Sequence, residues 1–219
     1  MNQVSNHTPN EVVVLVHGLW VNGMEMGLLR RRLGGAGYQT RQFSCPTLAN
    51  SPFENAMDLH KFTANLNQGT VHFVGHSLGG IVIRHLFHYF GPPRPGRVVT
   101  LGTPHQGSAA AAILSRFAAG RMLLGKSIQH GLLGPLPPWP AGYELGSIAG
   151  ITRLGLGLLL PGIPQPSDGT VAAAETRLAG MADHIELPAS HSSMLFSGKV
   201  CQQIVHFLQT GRFDHAFEA

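Results

Sequence analysis

The sequence predicts an α/β fold in which a mostly parallel sheet is covered by helices on both faces, and three observations lead there. Glu11-Val12-Val13-Val14-Leu15-Val16-His17-Gly18 is a continuous β-branched run rather than an alternating one, the pattern of a central strand buried on both sides. Strand-length apolar runs alternate with helix-length segments from there to Leu101, which is the signature of parallel strands joined by crossovers. The 219 residues are 43% hydrophobic and only 12% charged, which supplies a large core and argues against disorder. That length suits one domain spanning 1–219, since two full domains would be cramped.

The elements follow in order. After the Val12 strand a helix is expected from about Glu25 to Gly34, with Leu28, Leu29 and Leu33 as its buried side. Tyr38 to Ser44 reads as a second strand, stopped by Cys45-Pro46. A second helix begins at Ser51-Pro52 and runs to about Asn67, with Ser51 as N-cap and Pro52 at the first helical position. Val71 to Val74 is a third strand, Leu78 to Phe90 a buried helix, and Arg97 to Leu101 a fourth strand. The regularity then lapses. An Ala-rich helix over Ser108 to Ala119 and a Leu/Gly/Pro-rich tract make up a lid-like or pocket-forming insertion at about 105–140. Tyr143 to Ile151 and Asp183 to Leu187 read as further strands, and Ser192 to Thr210 as a closing helix.

Composition excludes several functions. The formal charge is +4, but the only basic run, Arg30-Arg31-Arg32, falls within a helix and reads as its solvated face, so no nucleic-acid partner is expected. Cys45 and Cys201 belong to no C-x-x-C pair and are expected as reduced thiols. His85 and His88, three apart on a helix, lack a third ligand of suitable spacing and read as plain helix surface, so no metal is expected. There is no phosphate-cradling or dinucleotide fingerprint, and no cofactor is expected. The polar start, Met1 to Asn10, has no leader pattern. The greasiest stretch, Leu154 to Ile163, is short and broken by Gly and Pro. The expectation is a cytoplasmic chain. The tract Ser147 to Pro164 reads as strand plus pocket wall or lid, with transient membrane-surface contact as the lesser alternative.

The chemistry centres on Gly75-His76-Ser77-Leu78-Gly79, set between a strand and a helix. A serine there occupies a sharp, strained turn that lifts its oxygen clear of the sheet, and small flanking residues let strand and helix approach. Its hydroxyl needs a base and an oxyanion site. His17-Gly18-Leu19-Trp20 leaves the first strand through Gly18, so the Leu19 and Leu78 amides are the expected oxyanion donors, with His17 bracing the loop. Two late histidines qualify as base. His184 lies inside an alternating strand, whereas His191 follows Pro188-Ala189-Ser190 in a loop and is the better placed. The orienting acid is then Asp168, in turn chemistry before the last strand, with Asp183 as its rival. Trp20, Met194 and Leu195 adjoin these positions and are candidates for lining an acyl pocket, core packing being an equally good account of each.

Together, Val12 to Trp20, Gly75 to Gly80, Leu101-Gly102-Thr103-Pro104, Ser167-Asp168-Gly169-Thr170-Val171 and His191 resemble the α/β-hydrolase superfamily. The likeness is closest to small bacterial lipases and esterases and to the related hydrolases that deacylate glycosylphosphatidylinositol. The resemblance implies a minimal, roughly six-stranded fold and a Ser77–Asp168–His191 catalytic triad with a Leu19/Leu78 oxyanion hole. The expected function is a serine carboxylic ester hydrolase acting on small-molecule or lipid esters that are uncharged or lipophilic. An acyltransferase with the same triad, or a non-catalytic ligand-binding protein on this scaffold, are the alternatives.

Overall fold

The computed structural model describes residues 10–67, 69–154 and 162–218. Six strands form one sheet: β1 (Glu11–Val16), β2 (Gln39–Phe43), β3 (Thr70–His76), β4 (Pro95–Leu101), β5 (Leu145–Gly150) and β6 (Asp183–Leu187). Their order is β2-β1-β3-β4-β5-β6 and every neighbouring pair is parallel. The first strand thus lies inside the sheet, and the chain moves one way to β2, then reverses to β3 and onward. The reversal leaves a crevice beyond the carboxyl ends of β1 and β3, where ligands of doubly wound sheets bind.

The unbroken apolar run of β1 is explained by two cores. Val13 and Leu15 pack with Leu29 and Leu33 of α1 (Gly27–Gly35) and with Ile204 and Phe207 of α6 (Gly198–Thr210) on one face. Val12, Val14 and Val16 pack on the other with Ala56 and Leu59 of α2 (Pro52–Ala64) and with Val82 and Ile83 of α3 (Leu78–His85). From Val12 to Val16 each β1 side chain is therefore enclosed whichever way it points. Helix α2 opens as expected: Ser51 Oγ accepts from the Glu54 N–H, Glu54 returns a bond to the Ser51 N–H, and Pro52 occupies the first helical position.

Several expectations are corrected. Leu28 is 37% exposed, because the narrow stripe of α1 that meets the sheet holds only Leu29 and Leu33. The Ala-rich segment makes two helices, α4 (Ala109–Leu114) and α5 (Ala118–Leu124), since Phe117 adopts an extended backbone that ends one and starts the other. The closing helix begins with a separate tight turn, Ser193–Phe196, before Ser197 caps α6. His85 is buried rather than on a helix surface: its ring stacks on Tyr89 and its Nε2–H donates to the His130 carbonyl at 2.6 Å. Cys45 and Cys201 are both buried and free. Part of the Leu154–Ile163 stretch lies outside the described residues.

The 105–140 insertion is tied down at both ends by one side chain. Arg84, buried on α3, donates from Nη1 to the His105 carbonyl at 2.6 Å and from Nε to the Pro137 carbonyl at 2.5 Å. Burial pushes its guanidinium down to about 10, which still leaves it charged at neutral pH. Replacing Arg84 with Leu strands two carbonyls and is expected to cost about 2–4 kcal/mol, read as a lower urea midpoint.

Candidate active site

Ser77 lies at the turn from β3 into α3 with φ 54 and ψ −122, a backbone conformation that costs a non-glycine residue on the order of 1–3 kcal/mol. Three bonds hold it there. The Ser77 N–H donates to the Leu101 carbonyl at 2.9 Å, Thr103 Oγ1 donates to the Ser77 carbonyl at 2.9 Å, and the Gly80 N–H reaches that same carbonyl at 3.1 Å. Gly79 is required by close approach, because a Cβ there would run into the Val16 and His17 carbonyls at the end of β1. His17 braces the adjacent loop as expected. Its Nδ1–H donates to the Gly18 carbonyl at 2.8 Å, and its Nε2 accepts from the Cys45 N–H at 3.1 Å.

Asp168 and His191 are brought together from the loops after β5 and β6. His191 Nδ1 donates to Asp168 Oδ2 at 2.6 Å, with the side chains 14% and 1% exposed. The other carboxylate oxygen accepts from the Thr170 and Val171 N–H groups at 2.8 and 2.7 Å. A backbone bond, His191 N–H to the Asp168 carbonyl at 2.9 Å, fixes the two loops to each other. With Nδ1 donating, Nε2 of His191 keeps its lone pair. The rivals are elsewhere. His184 bonds Thr176 Oγ1 from within β6, and Asp183 accepts from the Phe213 N–H at that strand's start.

Ser77, His191, Leu19 and Leu78 line one cavity of about 430 Å³, together with Trp20 and Leu195. Among the described residues, the side chains of Ser77 and His191 share it without a hydrogen bond to each other. Among the described residues, neither the Leu19 nor the Leu78 N–H donates to another group. Met194 does not line the cavity. It is fully buried in the sheet core, because the Ser193–Phe196 turn directs it inward.

Residues outside the expected set complete the site. Gly102, at the end of β4 with φ +54, lies where a Cβ would come within 2.8 Å of Asp168 Oδ2, 2.8 Å of Met194 Cε and 3.1 Å of His191 Nδ1. His76 lies tilted by 45° against His191, at 4.7 Å between ring centroids, and donates from Nε2 to the His191 carbonyl at 3.0 Å. Burial, reinforced by neighbouring His191, pushes the His76 imidazole down to about 3, so the His76 ring is uncharged at neutral pH. Gly102 was signalled by closing a strand and by lying in the Leu101-Gly102-Thr103-Pro104 segment of the resemblance, neither of which says what it abuts. Nothing in the sequence tells which carbonyl His76 meets.

The profile of the Alpha/beta hydrolase family matches residues 13–206. The chain belongs to that family. Among solved structures, this hydrolase resembles the mature lipase BlEst2 of Bacillus licheniformis (TM-score 0.71, 17% identity, covering 96% of each chain). It also resembles a metagenomic carboxyl esterase (TM-score 0.66, 19% identity, 94% of this chain and 76% of the other). A bromoperoxidase from Bacillus anthracis is similar too (TM-score 0.64, 15% identity, 93% of each chain). No curated protein sequence matches. At such identities the likeness establishes the fold of this hydrolase, and a shared fold hosts more than one chemistry.

Two measurements probe the supports of the site. Met194→Ala is expected to lose about 2–5 kcal/mol of stability through the cavity it leaves, read by urea unfolding. Acid is expected to weaken the fold as well. Burial pushes His76 to about 3, His105 to about 3 and His85 to about 4. An unfolded histidine titrates near 6.5, so below that pH the unfolded chain takes up protons that the fold refuses. Stability is then level above pH 6.5 and falls below it, by up to about 1.4 kcal/mol per pH unit for each histidine. A urea midpoint that holds steady from pH 7.5 to about 5 would show these rings to be charged in the native protein.

Proposed function

We propose that this alpha/beta hydrolase cleaves uncharged or lipophilic carboxylic esters through an acyl-enzyme on Ser77. The observation that carries the reading is the 2.6 Å bond from His191 Nδ1 to buried Asp168, at the edge of the cavity that Ser77 also lines. Asp168 orients the ring and stabilises the imidazolium; it does not take the proton. Ser77 Oγ attacks the ester carbonyl while its proton passes to His191 Nε2. The carbonyl oxygen becomes an oxyanion facing the Leu19 and Leu78 N–H groups. Collapse of that intermediate breaks the bond to the alcohol, which leaves with the proton from His191. Water, deprotonated by the same nitrogen, then attacks the acyl-enzyme and releases the acid and Ser77.

The lining supports the substrate class. Leu19, Leu78, Leu114, Leu124, Leu132, Leu154, Val171 and Leu195 line the cavity, and Glu25 is the one Asp, Glu, Lys or Arg among its described lining residues. That carboxylate disfavours anionic substrates, and the apolar walls favour a hydrocarbon acyl group.

Wild type is expected to hydrolyse p-nitrophenyl esters of graded chain length, and Ser77→Ala to lose at least about a thousandfold in kcat/KM. Equal rates in the two proteins would overturn the reading. Gly102→Ala keeps all three side chains but presses a methyl group against the Asp168–His191 pair. A fall in kcat of about a hundredfold is expected, measured with the same esters.

A further inference from the structure

The insertion shows the solvent an apolar and cationic face beside the cavity mouth. Between Asp58 and Glu144 the sequence contains no acidic residue. On this face Arg116, Arg121 and Lys126 are exposed, with Lys126 set 3.6 Å from Glu54. Interleaved with them are Phe117, Met122 and Leu123, which are 65%, 81% and 54% exposed. Helix α5 already meets the needs of the core through Leu124, which is buried and lines the cavity. Its outward apolar side chains stand largely outside the core, and a cluster of this kind marks a binding surface.

The face is continuous with the candidate active site. The indole N–H of Trp20 donates to the Leu123 carbonyl at 2.6 Å, and Trp20 itself is half-exposed and lines the cavity. Behind α5 the Lys126 N–H donates to the carbonyl of exposed Leu48. An indole with one edge in an apolar wall and its N–H tied to a carbonyl suits the boundary between headgroups and hydrocarbon.

We propose that this face, centred on Arg116 to Lys126, docks on an anionic phospholipid surface. Phe117, Met122 and Leu123 enter the headgroup–acyl boundary, and the two arginines meet lipid phosphates. The proposal rests on the lipophilic-ester reading, because docking sets the cavity mouth where such esters partition. Charge selects among occupants. A second copy would bring the same cations against these, and a nucleic acid backbone offers nothing to the three apolar side chains.

The test is co-sedimentation of the full chain with vesicles of phosphatidylcholine, with and without phosphatidylglycerol. Hydrolysis of soluble p-nitrophenyl butyrate without vesicles is measured in parallel. Binding is expected to favour the anionic vesicles by at least about tenfold and to weaken in about 0.5 M salt. The Arg116→Gln/Arg121→Gln variant is expected to lose about tenfold or more on anionic vesicles. The Phe117→Ser/Met122→Ser variant loses binding to both kinds, and both variants keep wild-type turnover of the soluble ester. Equal binding of wild type to the two vesicle types, no binding, or variants that bind like wild type would overturn the proposal. So would retention on immobilised polyglutamate without vesicle binding, or a dimer that the serine variant dissociates. Selective vesicle binding by a chain inactive on soluble esters would instead support docking and remove the ester reading.

Discussion

The first turn of α3 lies so close to the end of β1 that a single methyl group at Gly79 would strike the Val16 and His17 carbonyls. That approach leaves room for only one residue between β3 and the helix, and Ser77 fills it at φ 54 and ψ −122. The strain is on the order of 1–3 kcal/mol and is held by the neighbouring strand and loop, through the Leu101 carbonyl and the Thr103 hydroxyl. The same contact sets the other parts of the edge. It brings the loop after β1, with Leu19, close to the start of α3, so Leu19 and Leu78 line one cavity.

The Asp168–His191 pair is constrained in a different way, by being built into the core. Both carboxylate oxygens of Asp168 are occupied, one by two backbone N–H groups and one by His191. The chains carrying the two residues are bonded to each other, and His76 holds the His191 carbonyl from β3. Behind the pair lie Met194 and the glycines at the ends of β4 and β5. A Cβ at Gly102 would reach Asp168, His191 and Met194, and one at Gly150 would reach Asp168 and Met194. The neighbour relation of β4, β5 and β6 is thus what places acid beside base, although 23 residues separate them in the chain.

The elements of the sheet were legible because their determinants are local. The continuous β1 run, the Ser51-Pro52 helix start and the Gly-x-Ser-x-Gly turn each carry their meaning within a few residues. The pairing of Asp168 with His191 was legible from chain order together with turn chemistry. What stayed hidden depends on tertiary approach. Met194 is open to pocket lining or core packing until the turn before α6 is seen to point it inward. His85 reads as surface until Phe53, Tyr89 and the His130 carbonyl close over it. Arg84 looks like one more cation on an α3 helix, and only the folded chain shows it joining the two ends of the insertion.

The distribution of charge connects the insertion to the chemistry at the sheet edge. Acidic side chains are confined to residues 11–58 and 144–218, and the insertion exposes Arg116, Arg121 and Lys126 while its Leu114, Leu124 and Leu132 line the cavity. Trp20 joins these two surfaces. It adopts φ 64 immediately after Leu19, and its indole is anchored to α5 through the Leu123 carbonyl. A contact that presses on α5 is therefore one hydrogen bond and one residue away from the Leu19 amide.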